Sequence, residues 1–255
     1  MKSLAKKILK SIKNLLEFLI KLKRFLKANL IPDREKEIDE FQGCYEMFEK
    51  EQIENCYQKF KENFLTSVFI SSKKINSFAI NRSLSNFENV NQSSKLYFLE
   101  FGVFDGTSIN KFASILKEKK IYGFDSFYGL KEDWIGNAEF EKGYFNLGGK
   151  MPPVKNNVIL IKGWVQDTVN NFLKQNNPEI CFAHMDLDTY ESTKFVLSQI
   201  KPYLKKGSIL LFNEFYNFPG WSVGEYKALN EVFDEKEYKI IAFSKHGWEA
   251  VVEIK

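Results

Sequence analysis

The sequence has few of the residues that cross-link a secreted protein or anchor a membrane protein. Its 255 residues include only three cysteines, Cys44, Cys56 and Cys181. Three cysteines at these spacings form neither a disulfide framework nor a zinc site, and they suit a reducing compartment. No apolar run reaches the ~18–20 residues of a membrane-spanning helix, and the N-terminus lacks the features of a secretory signal. We therefore expect a cytoplasmic protein whose cysteines are buried as small apolar side chains.

A net excess of positive charge is absent outside one segment. Residues 1–30 contain nine Lys or Arg and a single acid, Glu17, which gives this segment a net charge of +8. The other 225 residues carry a net charge of −4. Because binding to phosphate backbones needs a local excess of positive charge, we do not expect the body of the chain to bind nucleic acid.

The basic segment has the pattern of an amphipathic helix. Leu and Ile recur at three- and four-residue steps from Leu4 to Leu26, and Lys or Arg fill most positions between them. Its apolar face either lies on an anionic membrane surface, at the inner face of the membrane, or packs on the body of the protein or on a second subunit. Peripheral membrane contact and a homo-oligomer therefore both stay open.

The rest of the chain divides into two parts. Residues 31–94 are expected to form a helical cap, with a long helix over roughly 34–70 and a short one within 71–94. Over 95–255, short apolar runs alternate with amphipathic stretches, which predicts an α/β fold with a doubly wound, Rossmann-like sheet. The last two strands are joined by residues 244–247, too few for a helical crossover, so they should pair antiparallel.

A long irregular segment, residues 128–157, separates the second and third of these strands. It contains five glycines and two prolines. Loops of this length in compact domains are usually functional, so we expect this one to act as a lid.

The glycine motifs that cradle phosphates are missing. The first strand of the predicted sheet ends in Glu100-Phe-Gly102, with Gly106 following in a GxxxG pattern, whereas dinucleotide enzymes carry GxGxxG and triphosphate enzymes a P-loop. An acid before the first glycine suits a cofactor with a cationic amino-acid end. Asp125, at the end of the second strand, suits a ribose diol, and Trp164 after the third suits an adenine. Together these features favour S-adenosylmethionine.

Five motifs in order resemble a known family: EFGVFDGTS, YGFDSFYGL, IKGWVQDT, FAHMDLDTYEST and LFNEFYNFPGW. They are similar to the metal-dependent sugar O-methyltransferases of the macrocin and mycinamicin type, class I S-adenosylmethionine-dependent enzymes, over about residues 96–255. The resemblance implies methylation of a sugar hydroxyl in glycan, capsular polysaccharide or glycosylated-metabolite biosynthesis. It also implies a cofactor pocket formed by Glu100, Gly102, Gly106, Ser108, Asp125, Ser126 and Trp164, and the neighbouring Val103, Phe127 and Gly163 complete the predicted cofactor-binding residues.

Carboxylates gather at the ends of the fourth and fifth strands of the predicted sheet. Asp186 follows one, and Asn213 and Glu214 follow the next. These oxygen ligands suit Mg²⁺ or another divalent metal, and the resemblance implies the same three positions. A metal would orient a sugar hydroxyl and lower its pKa while a base takes the proton. Asp186 is the predicted ligand and base, with His184 and His246 as alternative bases.

Several assignments stay open at this point. The family usually has Asp at both later metal positions, so Asn213 removes one negative charge and metal affinity or preference should change. Asp188 is expected to cap the helix that starts near residue 189, in preference to binding the metal. Tyr190 and Trp221 either line the acceptor site or, as we expect, pack in the core.

The alternative functions are methylation of a catechol-like diol and a non-catalytic, membrane-associated partner protein.

Overall fold

The computed structural model describes residues 43–88, 95–137 and 139–255. The predicted basic helix of residues 1–30 lies outside the described residues, as does the beginning of the predicted helical cap. The chain divides into two compact units, Met1–Met47 and Phe48–Lys255, and the sheet and the site described below belong to the second. The described helices and strands are α1 (Cys44–Phe64), β1 (Val68–Ile70), α2 (Ser72–Asn86), β2 (Leu96–Phe101), α3 (Thr107–Leu116), β3 (Ile121–Asp125), β4 (Val158–Lys162), α4 (Val165–Asn176), β5 (Glu179–Met185), α5 (Tyr190–Ile200), β6 (Leu204–Phe212), α6 (Glu225–Val232), β7 (Tyr238–Ser244) and β8 (Ala250–Ile254), with a 3-10 turn at Lys201–Tyr203.

The strands form one eight-stranded sheet in the order β1-β7-β8-β6-β5-β2-β3-β4. All neighbouring strands are parallel except β8, which runs antiparallel to both β6 and β7. The predicted α/β fold, with a doubly wound sheet and an antiparallel last strand, is therefore confirmed. The chain passes from β2 outward to β3 and β4, then returns to β5 on the other side of β2. Ligands of such sheets bind at this point of reversal, beyond the carboxyl ends of the strands.

The segment expected to be a helical cap also contributes a strand. The helix predicted over 34–70 ends at Phe64, and Val68–Ile70 pairs in parallel with β7, Val68 lying opposite Ala242. The run Val-Phe-Ile has high β-propensity and meets the open edge of β7, so the tertiary partner decides its conformation. The short helix predicted within 71–94 is present as α2.

Apolar side chains cover both faces of the sheet, as the sequence periodicity predicts. On one face, α4 buries Val165, Val169, Phe172 and Leu173 at three- and four-residue steps. On the other, α3 buries Ile109, Phe112, Ala113 and Leu116. Because helices lie on both faces, β5 is buried along nearly its whole length.

The cysteines behave differently from one another. Cys56 and Cys181 are buried, and burial raises the pKa of Cys56 to about 11 and that of Cys181 to about 12. Both therefore stay protonated and act as small apolar side chains, as predicted, whereas Cys44 is exposed. Among the described ranges, no helix combines the length and apolarity needed to cross a membrane.

Candidate functional site

A cavity of about 470 Å³ opens at the carboxyl ends of the central strands. It lies at the point of reversal between β2 and β5, where the topology places a ligand site, and its volume is in the range of small-molecule pockets. Six of the ten predicted cofactor-binding residues line it: Gly102, Val103, Ser108, Asp125, Ser126 and Trp164. The other four, Glu100, Gly106, Phe127 and Gly163, are not part of its lining.

Gly102 brings the first loop against the end of β5. Its φ is +88°, and a Cβ atom there would lie 1.6 Å from the carbonyl oxygen of Asp186. The amide of Asp186 also donates to the carbonyl of Phe101, at 2.9 Å between N and O. Only glycine allows this approach, so the cofactor loop and the acidic residue are held together by the main chain.

Asp125 holds the same loop from the neighbouring strand. Its Oδ2 accepts hydrogen bonds from the backbone amides of Val103 and Phe104, both at 2.8 Å, and its Oδ1 accepts one from Phe127, at 2.6 Å. Phe104 has a φ of +46°, which this carboxylate helps to fix. Asp125 therefore shapes the cavity wall while its carboxylate remains part of the lining.

Glu100 and His184 lie in the core beside the cavity. Ser108 Oγ donates to Glu100 Oε1 at 2.7 Å, and Glu100 Oε2 lies 3.5 Å from His184 Nδ1. The His184 ring is 1% exposed and packs edge-on against Phe112. Burial alone would lower the pKa of His184, but the nearby Glu100 and Asp186 carboxylates outweigh it and raise that pKa.

The prediction that His184 is an alternative base is not supported by this position. A base must contact the acceptor directly or through one water, and His184 does not line the cavity. His246 lies exposed in the turn between β7 and β8 and does not line the cavity either.

Three carboxylates that line the cavity converge at the ends of β5 and β6. Oxygen atoms of Asp186, Asp188 and Glu214 all lie within 4.8 Å of one another. Burial raises the pKa of Asp186 to about 6, and burial together with the neighbouring acids raises the pKa of Asp188 and of Glu214 well above the usual range. Glu214 Oε2 is buried and has no hydrogen-bond partner among the residues that the structure describes. A hard divalent cation fits this donor set, because it is bound by carboxylate oxygens and would offset their mutual repulsion.

This group differs from the predicted one at Asn213. The Asn213 amide nitrogen donates to Asp186 Oδ1 at 3.1 Å and to Glu214 Oε1 at 2.5 Å, so the NH₂ group faces the carboxylates and the amide oxygen does not. Asn213 lines the cavity, but the third carboxylate is supplied by Asp188.

The expected helix-capping role of Asp188 is wrong. Thr189 is the N-cap of α5 and makes no side-chain capping bond, while Asp188 has a φ of +62° and is buried. This left-handed turn directs the Asp188 side chain toward Asp186 and Glu214. The Asp-x-Asp spacing at a strand end was the sequence signal for it, but that spacing alone does not reveal the turn.

The segment predicted to act as a lid, residues 128–157, contributes to the lining of the cavity. Its lining residues are Gly129, Leu130, Lys131, Trp134, Phe140 and Phe145. Glu132 Oε1 accepts hydrogen bonds from Thr189 Oγ1 and from Ser192 Oγ, the latter at 3.0 Å. The lid is thus tied to the first turn of α5, next to Asp188. The contacts of Glu132 cannot be predicted from the sequence, because a single acid in a loop has no pattern that reveals its partner.

Tyr190 and Trp221 do not line the cavity. Tyr190 packs against the core and donates from its hydroxyl to Glu231. Trp221 is buried, and its Nε1 donates to the carbonyl of Gln52 at 3.1 Å. The expectation of core packing is confirmed for both residues.

The strand order, the glycine loop after β2 and the acid at the end of β3 are those of a Rossmann-like methyltransferase fold. Residues 99–215 match the family model described as a methyltransferase domain. This stretch includes the glycine loop after β2 and the three convergent carboxylates. No curated protein sequence matches the chain significantly.

Two solved structures illustrate the shared fold. The calicheamicin methyltransferase CalS11 is 23% identical, with a TM-score of 0.55 over 83% of this chain and 93% of its own. CalS11 is described, for its apo structure, as a TDP-rhamnose 3'-O-methyltransferase. The O-methyltransferase NovP is 18% identical, with a TM-score of 0.52 over 71% of this chain and 80% of its own.

Proposed function

We propose that this protein is an S-adenosylmethionine-dependent O-methyltransferase that methylates a sugar hydroxyl with the help of a divalent cation. The observation that carries the proposal is that the glycine loop after β2 and three convergent carboxylates line the same cavity. Gly102 and Asp186 touch through the main chain, so a methyl donor and a cation would be neighbours. Methyl transfer needs this proximity, since the attacking oxygen must lie within about 3.5 Å of the methyl carbon.

The cofactor would lie along the ends of β2, β3 and β4. The backbone around Gly102 and Val103 would contact its amino-acid end, Asp125 its ribose, and the ring of Trp164 its adenine. The Lys131 ammonium lies 5.8 Å from the centre of the Trp164 ring, a distance at which a cation–π contact steadies an aromatic side chain. Glu100, which does not line the cavity, would act indirectly by fixing Ser108.

The acceptor hydroxyl would lie against Asp186, Asp188 and Glu214, which would hold the cation. When bound, S-adenosylmethionine supplies the methyl group and a divalent cation supplies positive charge at the acceptor oxygen. Asp186 lines the cavity and keeps 27% of its side chain exposed, so its carboxylate can reach an acceptor hydroxyl there. We therefore assign Asp186 as the base as well as a ligand.

The choice of a sugar acceptor rests on the motif resemblance, and an aromatic diol is the second candidate. The ring-lined lid, with Trp134, Phe140 and Phe145, favours a flat ligand face and is compatible with either. The test measures S-adenosylhomocysteine formation with nucleotide-linked sugars, free glycosides and catechol, each with Mg²⁺ and with EDTA. We expect turnover of a sugar that EDTA abolishes. Turnover of catechol alone would replace the sugar hypothesis, and the absence of cofactor binding would overturn both in favour of a non-catalytic partner protein.

We further propose that the enzyme acts in the cytoplasm, with residues 1–30 on the inner face of the membrane. The net charge of +8 in this segment supports contact with anionic lipid. Co-sedimentation with anionic liposomes tests this, comparing the wild type with a full-length variant in which Lys6, Lys10 and Lys13 are replaced by Glu. Loss of lipid binding with unchanged activity is expected. A change in oligomeric state instead would make this segment an assembly element.

A further inference from the structure

A fourth acid, Glu225, lies next to the three convergent carboxylates. It is the first residue of α6, and its side chain is completely buried. Its Oε2 accepts a hydrogen bond from the backbone amide of Glu214, at 2.9 Å. Within the described part of the chain, its Oε1 is buried without a hydrogen-bond partner, like Oε2 of Glu214. Glu225 therefore combines one useful contact with one unpartnered polar atom in the core.

The local fold alone does not explain a carboxylate at this position. Among the residues that the structure describes, no Lys or Arg forms an ion pair with Glu225. Burying a carboxylate without a counter-charge costs free energy, and the neighbouring Asp186 and Asp188 add repulsion. A glutamine could accept the same hydrogen bond from Glu214 without that cost. The hydrogen bond to Glu214 alone therefore does not account for a carboxyl group at this position.

We infer that Glu225 is a positioning residue for the divalent cation, holding Glu214 in place and adding a negative charge behind the three ligands. This inference rests on the proposed metal-assisted function. Asn213 supplies an amide where the resembling family usually has a second Asp, and Glu225 offers a carboxylate close by. Glu225 lies outside the group of oxygens that converge within 4.8 Å, so it acts through Glu214 and through charge rather than as a ligand.

The test compares E225Q with the wild type, both as full-length chains. Gln keeps the acceptor for the Glu214 amide and removes the charge. Isothermal titration with Mn²⁺ should show affinity reduced by about 10- to 100-fold, the usual effect of changing a residue that supports a metal ligand. Because Gln keeps the acceptor for the Glu214 amide, the thermal midpoint in EDTA should equal or exceed that of the wild type, whereas the increase produced by Mn²⁺ should shrink. A merely structural role would lower the midpoint in EDTA.

Two controls keep the outcomes separate. E231Q changes an exposed acid on the same helix, which pairs with Lys194, and should leave Mn²⁺ affinity unchanged. Binding of S-adenosylhomocysteine should be the same in all three proteins and reports that each is folded. Equal Mn²⁺ affinity in E225Q and the wild type would overturn the role of Glu225 alone. If the wild type binds no divalent cation, the metal-assisted function fails and the inference with it.

Discussion

The carbonyl oxygen of Asp186 occupies the space where a side chain at residue 102 would begin. A Cβ atom on Gly102 would lie 1.6 Å from that oxygen. This contact joins the first cofactor loop to the end of the strand that carries the acids. The position of the cofactor loop relative to Asp186 is therefore set by contact between main-chain atoms.

We predict that G102A is strongly destabilised. It combines the cost of a positive φ, about 1–3 kcal/mol, with the displacement of backbone at Asp186, about 1–3 kcal/mol more. Chemical denaturation measures the loss of unfolding free energy. G143A is the matched control, because Gly143 has a φ of +84° and nothing within 4 Å of its Cβ position. An equal loss in the two variants would show that the contact with Asp186 is unimportant.

We predict that, in EDTA, the stability of the protein falls as the pH rises through the titration of the acidic group. Burial raises the pKa of Asp186 from 3.8 to about 6, and the pKa of Asp188 is raised further above its usual range. The folded state therefore binds more protons than the unfolded chain between these values, so unfolding free energy is lost with increasing pH.

Denaturation in EDTA at pH 5 and pH 7.5 measures this loss, which should be on the order of 1 kcal/mol or more. D188N is the comparison, because it removes one of the raised groups and should reduce the loss. Addition of Mg²⁺ at pH 7.5 should restore stability. A wild-type profile that matches D188N would contradict the interaction between these carboxylates.

We predict that E132A loosens the lid. Thr189 and Ser192 both donate to the Glu132 carboxylate, and their loss frees the loop from α5. Limited proteolysis within residues 128–149 should become faster, and the KM for the acceptor should rise several-fold. E141A is the control, since Glu141 is exposed on the same loop. Identical cleavage in E132A and the wild type would show that another contact holds the lid.

The sequence predicted the elements of the sheet because their periodicity is local. Alternating apolar runs and amphipathic stretches identified β2 to β8, and the short connection between β7 and β8 predicted their antiparallel pairing. β1 was missed because three residues become a strand only when the edge of β7 is available. That information is tertiary and does not appear in the spacing of residues 68–70.

The sequence predicted the location of the candidate site better than the role of each residue in it. Strand ends identified Gly102, Asp125 and Asp186 as residues of the cavity. The missing information was the direction in which each side chain points. The positive φ of Asp188 directs its side chain toward the other two carboxylates, whereas the position of His184 in β5 directs its side chain into the core. Neither direction follows from the order of residues along the chain.

The proposed mechanism requires that a cofactor site and a cation site share one cavity. Titration calorimetry with S-adenosylhomocysteine and with Mg²⁺, on the wild type and on D186A, tests it most directly. We predict that the wild type binds both, and that D186A keeps its affinity for S-adenosylhomocysteine within a few-fold while losing Mg²⁺ binding and turnover. Unchanged Mg²⁺ binding and turnover in D186A, or no binding of S-adenosylhomocysteine to the wild type, would contradict it.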